Sequence, residues 1–473
     1  PDGGYAWVIA TCACVLTMAT WGSNASYGVF LNYYLSSNYF PGATDFDYAL
    51  IGGLVAAIAL SLSPVVFVFV SYLGLKQTIS LGIIIQTAGY ILASFATKTW
   101  QLYMTQGVLV GVSFSLVFVS SISILPNWFF YKRALASGIM VSGAGTGGIL
   151  FSLSSNKLME QTGNHKWPLR MVGFVTLFMC VVCMLLLKQY PKTSPNHPKH
   201  PAHIPQPRPS LKKAFEVVFD FSIVELIPIH FITVWYMLCN VGYIILLFSM
   251  SAYSSSVGLT HQQGSNITAI LNVGQCIGRP LMGYAADRVG RINFTIVVTF
   301  TVSLLIFTFW INAKTYAALC VFALVTGSII GIGSVNNQPL ALEVSGSARF
   351  PSAFSYMNII VGITTMFAEV MALKLRNNNL SNPFLHCQIF TGVLYFGAFL
   401  IISPVREWKV KRLFSKRRDE IFGLLDRNGL IDGETVLTRE EVELYKKRLH
   451  KYDILLSTEV SGYITRLVYP IKV

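Results

Sequence analysis

Stretches of about 20 residues nearly free of charge recur along this chain. Each is long enough to cross the roughly 30 Å hydrocarbon layer of a bilayer as an α-helix. That recurrence restricts the fold more than any other feature. Charged residues make up 12% of the 473 positions, about half the roughly 25% of soluble domains. The fold class is an all-α polytopic membrane protein.

The pattern predicts spans at 6–33, 48–73, 78–97, 100–125, 134–157 and 167–187, then at 226–251, 264–286, 292–312, 315–340, 350–373 and 387–404. The stretch "KQYPKTSPNHPKHPAHIPQPRPSLKK" separates six from six. Its prolines oppose helix and strand, and its charge keeps it in water. Four regions result: a six-helix bundle at 1–187, a linker at 188–225, a second bundle at 226–405 and a tail at 406–473.

The formal charge of +14 is a tempting nucleic-acid signal, but its placement argues otherwise. Of 35 Lys and Arg, 15 follow Pro404 and 6 lie between Lys188 and Lys213. Basic segments beside spans set orientation and meet anionic lipid. Linker and tail are therefore expected in the cytoplasm, with membrane lipid as a partner and no nucleic acid. The eight cysteines lie in or at the ends of apolar segments, and Cys180 and Cys183 read as packing residues.

The two halves echo each other. "SNASYG" in span 1 places Asn24 and Tyr27 three apart, and "LCNVGY" in span 7 does the same with Asn240 and Tyr243. That spacing puts each pair on one helix face. "YKRALASGIMVSGAG" and "SARFPSAFSYMNIIVG" each open the fifth span of a half with a base followed by small residues. Parallel six-helix repeats about an axis along the membrane normal describe the major facilitator architecture, with twelve helices in two pseudo-symmetric bundles.

The opening "PDGGYAW" resembles the signature before span 1 of the monocarboxylate porters, a major facilitator family. "WFFYKRALASGIMVSGAGTGG" is similar to its second signature at span 5, and "GRPLMGYAADRVGR" to its span 8 and the loop beyond. The resemblance covers about residues 1–405. "SYGVFLNYYLSSNYFPGATDFDYALIGGL" resembles the fungal branch, including its riboflavin importers.

One arginine, Arg279, stands inside span 8, 12 residues before Arg291. At about 1.5 Å per residue it lies roughly 18 Å from the inner end, near the midplane. A guanidinium there is costly, by about 2.5–3.5 kcal/mol at least. A water-filled cavity or a solute relieves that cost, and transporter sites sit at this depth. The resemblance implies that Arg279 contacts a substrate carboxylate. It also implies two titratable partners that this chain lacks: Gln275 stands where lactate carriers have an aspartate, and Ala25 aligns with their lysine. Gln275 and Asn272 share a face with Arg279. Asn24, Tyr27, Asn240, Tyr243, Asn336, Gln338 and Asn358 complete the candidate substrate-binding set. One arginine among amides and tyrosines suits a polar aromatic solute better than a small acid. Glu369 and Glu225 read as acids solvated at the two interfaces.

The loop "GYAADRVGR" matches the facilitator loop pattern. Asp287 is expected to take hydrogen bonds from a neighbouring helix start and to pair with a base. By family analogy that neighbour is span 5, where Lys132 and Arg133 sit. With Arg288 and Arg291 they form the candidate gating set. The loop after span 2, "YLGLKQ", lacks such charges, which makes the latch one-sided.

No Walker loop, nucleotide-binding domain or metal-ligand cluster is present, so neither an enzyme nor a cofactor or metal is expected. The leading reading is a secondary transporter of a small organic solute working by alternating access at the plasma membrane, favouring a riboflavin-like heterocycle. A monocarboxylate transporter with proton coupling is the alternative. From another class, a nutrient sensor would bind solute and signal through the tail. "REEVELYKKRLHKYDILL" in that tail reads as an amphipathic helix for the membrane surface or for a partner protein.

Overall fold

The computed structural model describes residues 2–37, 39, 40, 42–188, 210–377, 379, 380, 382–427, 439–457, 460–469 and 471. Most of the linker expected at 188–225 lies outside them. Eight helices, or nine with one bent pair counted as a span, are long and apolar enough to cross a membrane. Leu75–Ala93 and His261–Val289 lie beside them as spans 3 and 8. Tyr316–Ala372 holds spans 10 and 11, parted at Gly346, whose φ of 74° lies outside the helical region.

Among the described residues this gives the twelve expected spans. Span 1 is Tyr5–Leu31, span 2 the bent pair Phe46–Ser61 and Ser63–Tyr72, and span 4 Thr99–Trp128. Spans 5, 6, 7 and 9 are Arg133–Thr162, Lys166–Leu186, Ile227–Ser256 and Arg291–Trp310. The 45° bend in span 2 falls at Pro64, which has no N–H to offer the preceding turn.

Several predicted ends fell short, those of spans 5, 7, 10 and 12 by five residues or more. Span 5 runs to Thr162, where Gly163 in the left-handed conformation ends it. Span 12 was expected to stop at 404, yet its helix is Leu385–Arg427 with Pro404 inside. Val410, Phe414 and Ile421 are buried and carry an apolar stripe of helical spacing through the charged run.

Large buried rings such as Trp235, Trp310, Tyr253 and Tyr395 fill the second bundle. Phe178, Ile84 and Leu185 are exposed on helix surfaces, as contact with lipid allows. The bundles meet along two seams. In one, span 5 lies between spans 1 and 8: a Cβ added at Gly147 would sit 2.6 Å from the Met18 carbonyl oxygen, and one at Gly145 would sit 2.9 Å from that of Asn272. The small residues expected in span 5 thus allow helix contact on both sides. In the other, span 11 lies on span 2. Gly53 packs on the Met366 carbonyl, Gly362 on Ser61, and Phe67 between Phe350 and Phe354 with ring centroids 6.2 and 6.3 Å away. The two ends of the bundle differ: a latch end carries residues 128–135 and 287–293, and a far end carries Asp47 and His165.

Candidate functional site: a buried arginine and a latch between bundles

Arg279 is buried, 3% exposed, and reaches across the first seam. One terminal nitrogen donates to the Val141 carbonyl of span 5 at 2.5 Å, and the other to Gln275 Oε1 at 2.5 Å. Tyr243 Oη donates to the same Gln275 oxygen at 3.0 Å, and Gln275 Nε2 donates to Asn272 Oδ1 at 3.2 Å. The Tyr243 ring centroid lies 6.0 Å from the guanidinium carbon. Nε of Arg279 has no partner among the described residues. Gly331 of span 10 leaves room for it, since a Cβ there would sit 2.8 Å away. Among the described residues no carboxylate forms an ion pair with Arg279. Four of the expected residues, Asn272, Gln275, Arg279 and Tyr243, therefore form one connected polar group. Asn272 also faces Gly148, whose Cβ position is 3.1 Å from the Ala25 side chain. Spans 1, 5 and 8 meet there.

The remaining candidates are placed elsewhere. Asn24 is half-buried. Tyr27 donates to the Tyr48 carbonyl of span 2 at 2.9 Å. Asn240 donates to Thr365 Oγ1 in span 11, and Asn336 to Thr295 Oγ1 in span 9, each at 2.7 Å. Gln338 crosses between bundles to the Ile122 carbonyl at 3.0 Å. Asn358 is wholly buried, and neither its amide nitrogen nor its oxygen has a partner among the described residues. It shares a helix stripe with Phe354 and Gly362, both packed on span 2. That stripe brings it opposite the bend of span 2, where the buried Ser63 hydroxyl is also unpartnered.

At the latch end, the Asp287 carboxylate accepts from the main-chain amides of Ala134 at 3.3 Å and Leu135 at 2.9 Å. These are among the first amides of span 5, which have no intrahelical acceptor. Arg291 pairs with the same carboxylate at 2.8 and 2.9 Å, and a weak contact of 3.5 Å leads on to the Tyr131 carbonyl. The expected bases of span 5 have contacts of their own. Lys132 lies over the Trp7 ring, and Arg133 donates to the Phe129 carbonyl. A helix start already supplies oriented N–H groups, and Arg291, one turn along from Asp287, needs no second bundle to reach it. Arg288 turns away over Tyr284.

Residues 9–368 and 230–419 match the Major Facilitator Superfamily. The chain belongs to that superfamily. It is a membrane transporter of small solutes and not an enzyme. Among similar facilitators is "Uncharacterized transporter ESBP6" of Saccharomyces cerevisiae, 37% identical over 100% of this chain and 69% of its own. "Probable transporter MCH2" of the same yeast is 32% identical over 89% of this chain and 85% of its own. The proton:xylose symporter XylE, solved with 6-bromo-6-deoxy-D-glucose, superposes with a TM-score of 0.66 over 84% of this chain and 95% of that one. At 12% identity it supports the facilitator fold alone.

Three features of this facilitator escaped sequence reasoning. The Val141 carbonyl is main chain and leaves no side-chain signal. Asp2 stands in the quoted opening motif, but nothing in the motif names its partners. Its carboxylate accepts from the amides of Phe130, Tyr131 and Lys132 at 3.0–3.2 Å, so carboxylates from both bundles hold the entry to span 5. Glu369, expected to be solvated at an interface, is 9% exposed. Span 11 is interrupted at Met366 and Phe367 just before it. Gly52 of span 2 leaves room for its carboxylate, since a Cβ there would lie 3.3 Å from Glu369 Oε1.

Proposed function

We propose that Arg279 is the solute-binding residue of an alternating-access transporter, and that the solute is a riboflavin-like heterocycle. The observation that carries this reading is the Arg279 guanidinium itself: buried mid-span, bonded to an amide and a main-chain carbonyl, with no carboxylate paired to it among the described residues. A buried cation without a counter-ion is costly. An electron-rich acceptor entering beside it relieves that cost. The planar fork of donors suits the carbonyl and imide edge of a heterocycle or a carboxylate.

Neutral company favours the heterocycle. Gln275, Asn272 and Tyr243 bring hydrogen bonds and a ring face but no titratable acid. Asn358 and Ser63 add unpartnered polar atoms at the other seam. A solute that takes the Arg279 donor now given to Val141 removes one bond between bundles, which links binding to their rocking. Asp287 on the first amides of span 5 supports a role in holding the latch end closed. The concentration of Lys and Arg in the linker and after Pro404 supports a cytoplasmic latch end, and the family resemblance is the ground for a plasma membrane.

The test is uptake of labelled riboflavin and labelled lactate into sealed proteoliposomes, for wild type and Arg279→Gln, with and without a pH gradient. Saturable riboflavin uptake that the variant loses supports the proposal. Lactate uptake driven by the gradient, without riboflavin uptake, replaces the heterocycle with a monocarboxylate. Binding of either solute without flux replaces transport with sensing.

A further inference from the structure

The segment that follows span 12 does not lie free. Arg406, 9% exposed on the extended span 12 helix, donates to the carbonyls of Arg466 at 3.0 Å, Leu467, and Tyr469 at 2.6 Å. These oxygens belong to the last turn of helix Val460–Val468 and the residue beyond it. Such carbonyls lack intrahelical donors, and a cation at a helix C-terminus also meets its negative end. Arg406 is thus the cap of a helix about 60 residues away in sequence. Its Nε donates to Asn293 Oδ1 at 2.7 Å, and Asn293 Nδ2 donates to the Ile471 carbonyl at 2.8 Å.

The attachment is reciprocal. Arg466, 3% exposed, pairs with Glu407 at 2.7 Å and donates to the carbonyls of Leu455 at 2.6 Å and Ser457 at 2.9 Å. Val410, Phe414 and Leu455 form a small apolar core with Tyr452, Tyr469 and Ile471 around it. Helix Arg439–Leu455, expected at the membrane surface or on a partner protein, packs on the extended span 12 helix through this core.

Position gives this docking a consequence. Asn293 and Arg291 occupy the same first turn of span 9, which begins after Gly290 at φ 114°. Asn293 holds the docked segment, while Arg291 holds Asp287 against the start of span 5. One helix turn therefore carries both the tail contact and the charge partner of the latch.

We propose that the surface formed by Asn293, Arg406 and Glu407 is a docking site for the chain's own residues 460–469 and Ile471, and that docking holds the bundles closed at the latch end. The occupied surface fixes the first turn of span 9, and with it the Arg291 side chain on Asp287. Release of the segment loosens that turn and favours opening. Coupling of this kind is reciprocal: opening the latch also weakens docking. The inference concerns the gate and does not depend on which solute moves.

Hydrogen exchange on the full chain in lipid nanodiscs tests it without any solute. The variants are Arg406→Ala, Asn293→Ala and a chain ending at Leu456, which keeps Arg406 and the span 12 helix. In the two point variants, exchange at 460–469 is expected to rise several-fold. In all three, exchange at 131–136, which holds the Ala134 and Leu135 amides bonded to Asp287, is expected to rise with it. Asp287→Asn is expected to raise exchange at 131–136 and, by reciprocity, at 460–469. Unchanged exchange at 460–469 in both point variants overturns the docking. Raised exchange at 460–469 with 131–136 unchanged overturns the coupling, as does truncation without effect on 131–136.

Discussion

The Asp287 carboxylate and the Leu135 amide meet at 2.9 Å across the two bundles. One acid of span 8 thereby occupies the N-terminus of span 5, while Arg291 neutralises it from behind. Both side chains are largely buried, at 8% and 14% exposed. A hydrogen bond to a charged group contributes about 1.5–3 kcal/mol. Asp287→Asn keeps the shape but loses the charge, and is expected to weaken the closed latch by about 2 kcal/mol. Accessibility of a cysteine introduced at Ala134 to a water-soluble thiol reagent, in a background without the native cysteines, measures this. Equal labelling with and without the substitution rules the latch out.

Arg279→Lys is expected to fail as Arg279→Gln does. A lysine keeps the charge but not the fork of donors that reaches Val141 and Gln275 together. Uptake by Arg279→Lys should fall at least tenfold, a loss of about 1.4 kcal/mol or more. Wild-type uptake in this variant would mean that charge alone suffices.

Asn358→Leu separates function from stability. Both polar atoms of the buried amide are unpartnered. Replacing such a group by an apolar one of similar size is expected to stabilise the fold by about 1 kcal/mol. If Asn358 serves the solute, uptake falls while thermal stability in detergent rises. A loss of stability would show that the amide has a structural partner.

Gly53→Val tests the second seam. A Cβ there sits 2.6 Å from the Met366 carbonyl oxygen, and the contact is main chain, which moves little. Overpacking costs about 1–3 kcal/mol. The variant is expected to favour separation of spans 2 and 11 near the far end, seen as faster labelling of a cysteine placed at Glu369 in the same cysteine-free background.

His165 gives a pH test at the far end, outside the spans that flank it. Its ring is buried among Tyr33, Tyr34, Tyr39 and Phe40, with neither nitrogen partnered among the described residues. Burial, with Lys166 adding to it, pushes its pKa down from 6.5 to about 4. The unfolded chain takes up this proton more readily than the folded one. The contribution to stability is complete above about pH 6.5 and is lost as pH falls towards about 4. His165→Phe is expected to flatten that part of the thermal stability curve, and an unchanged curve would remove His165 as its source.

The twelve spans were legible because length and apolar character are local properties that lipid alone rewards. Arg279, Gln275 and Asn272 were legible as a group because helical spacing puts them on one face. Asp287 was legible as an acceptor because its loop matched a known pattern. The extent of span 12 was missed because its charged run also hides an apolar stripe, at Val410, Phe414 and Ile421. Which groups bind which was decided only in three dimensions. Val141 meets Arg279 through a main-chain carbonyl that any residue type would present. Asp287 takes the Ala134 and Leu135 amides because the start of span 5 faces it. Arg406 found its partners about 60 residues away because the chain folds back. Sequence determined which segments cross the membrane and which charges are placed at cost within them. Tertiary structure decided how each charge is satisfied, since hydrogen bonds depend on the direction and distance of groups that the chain order does not set side by side.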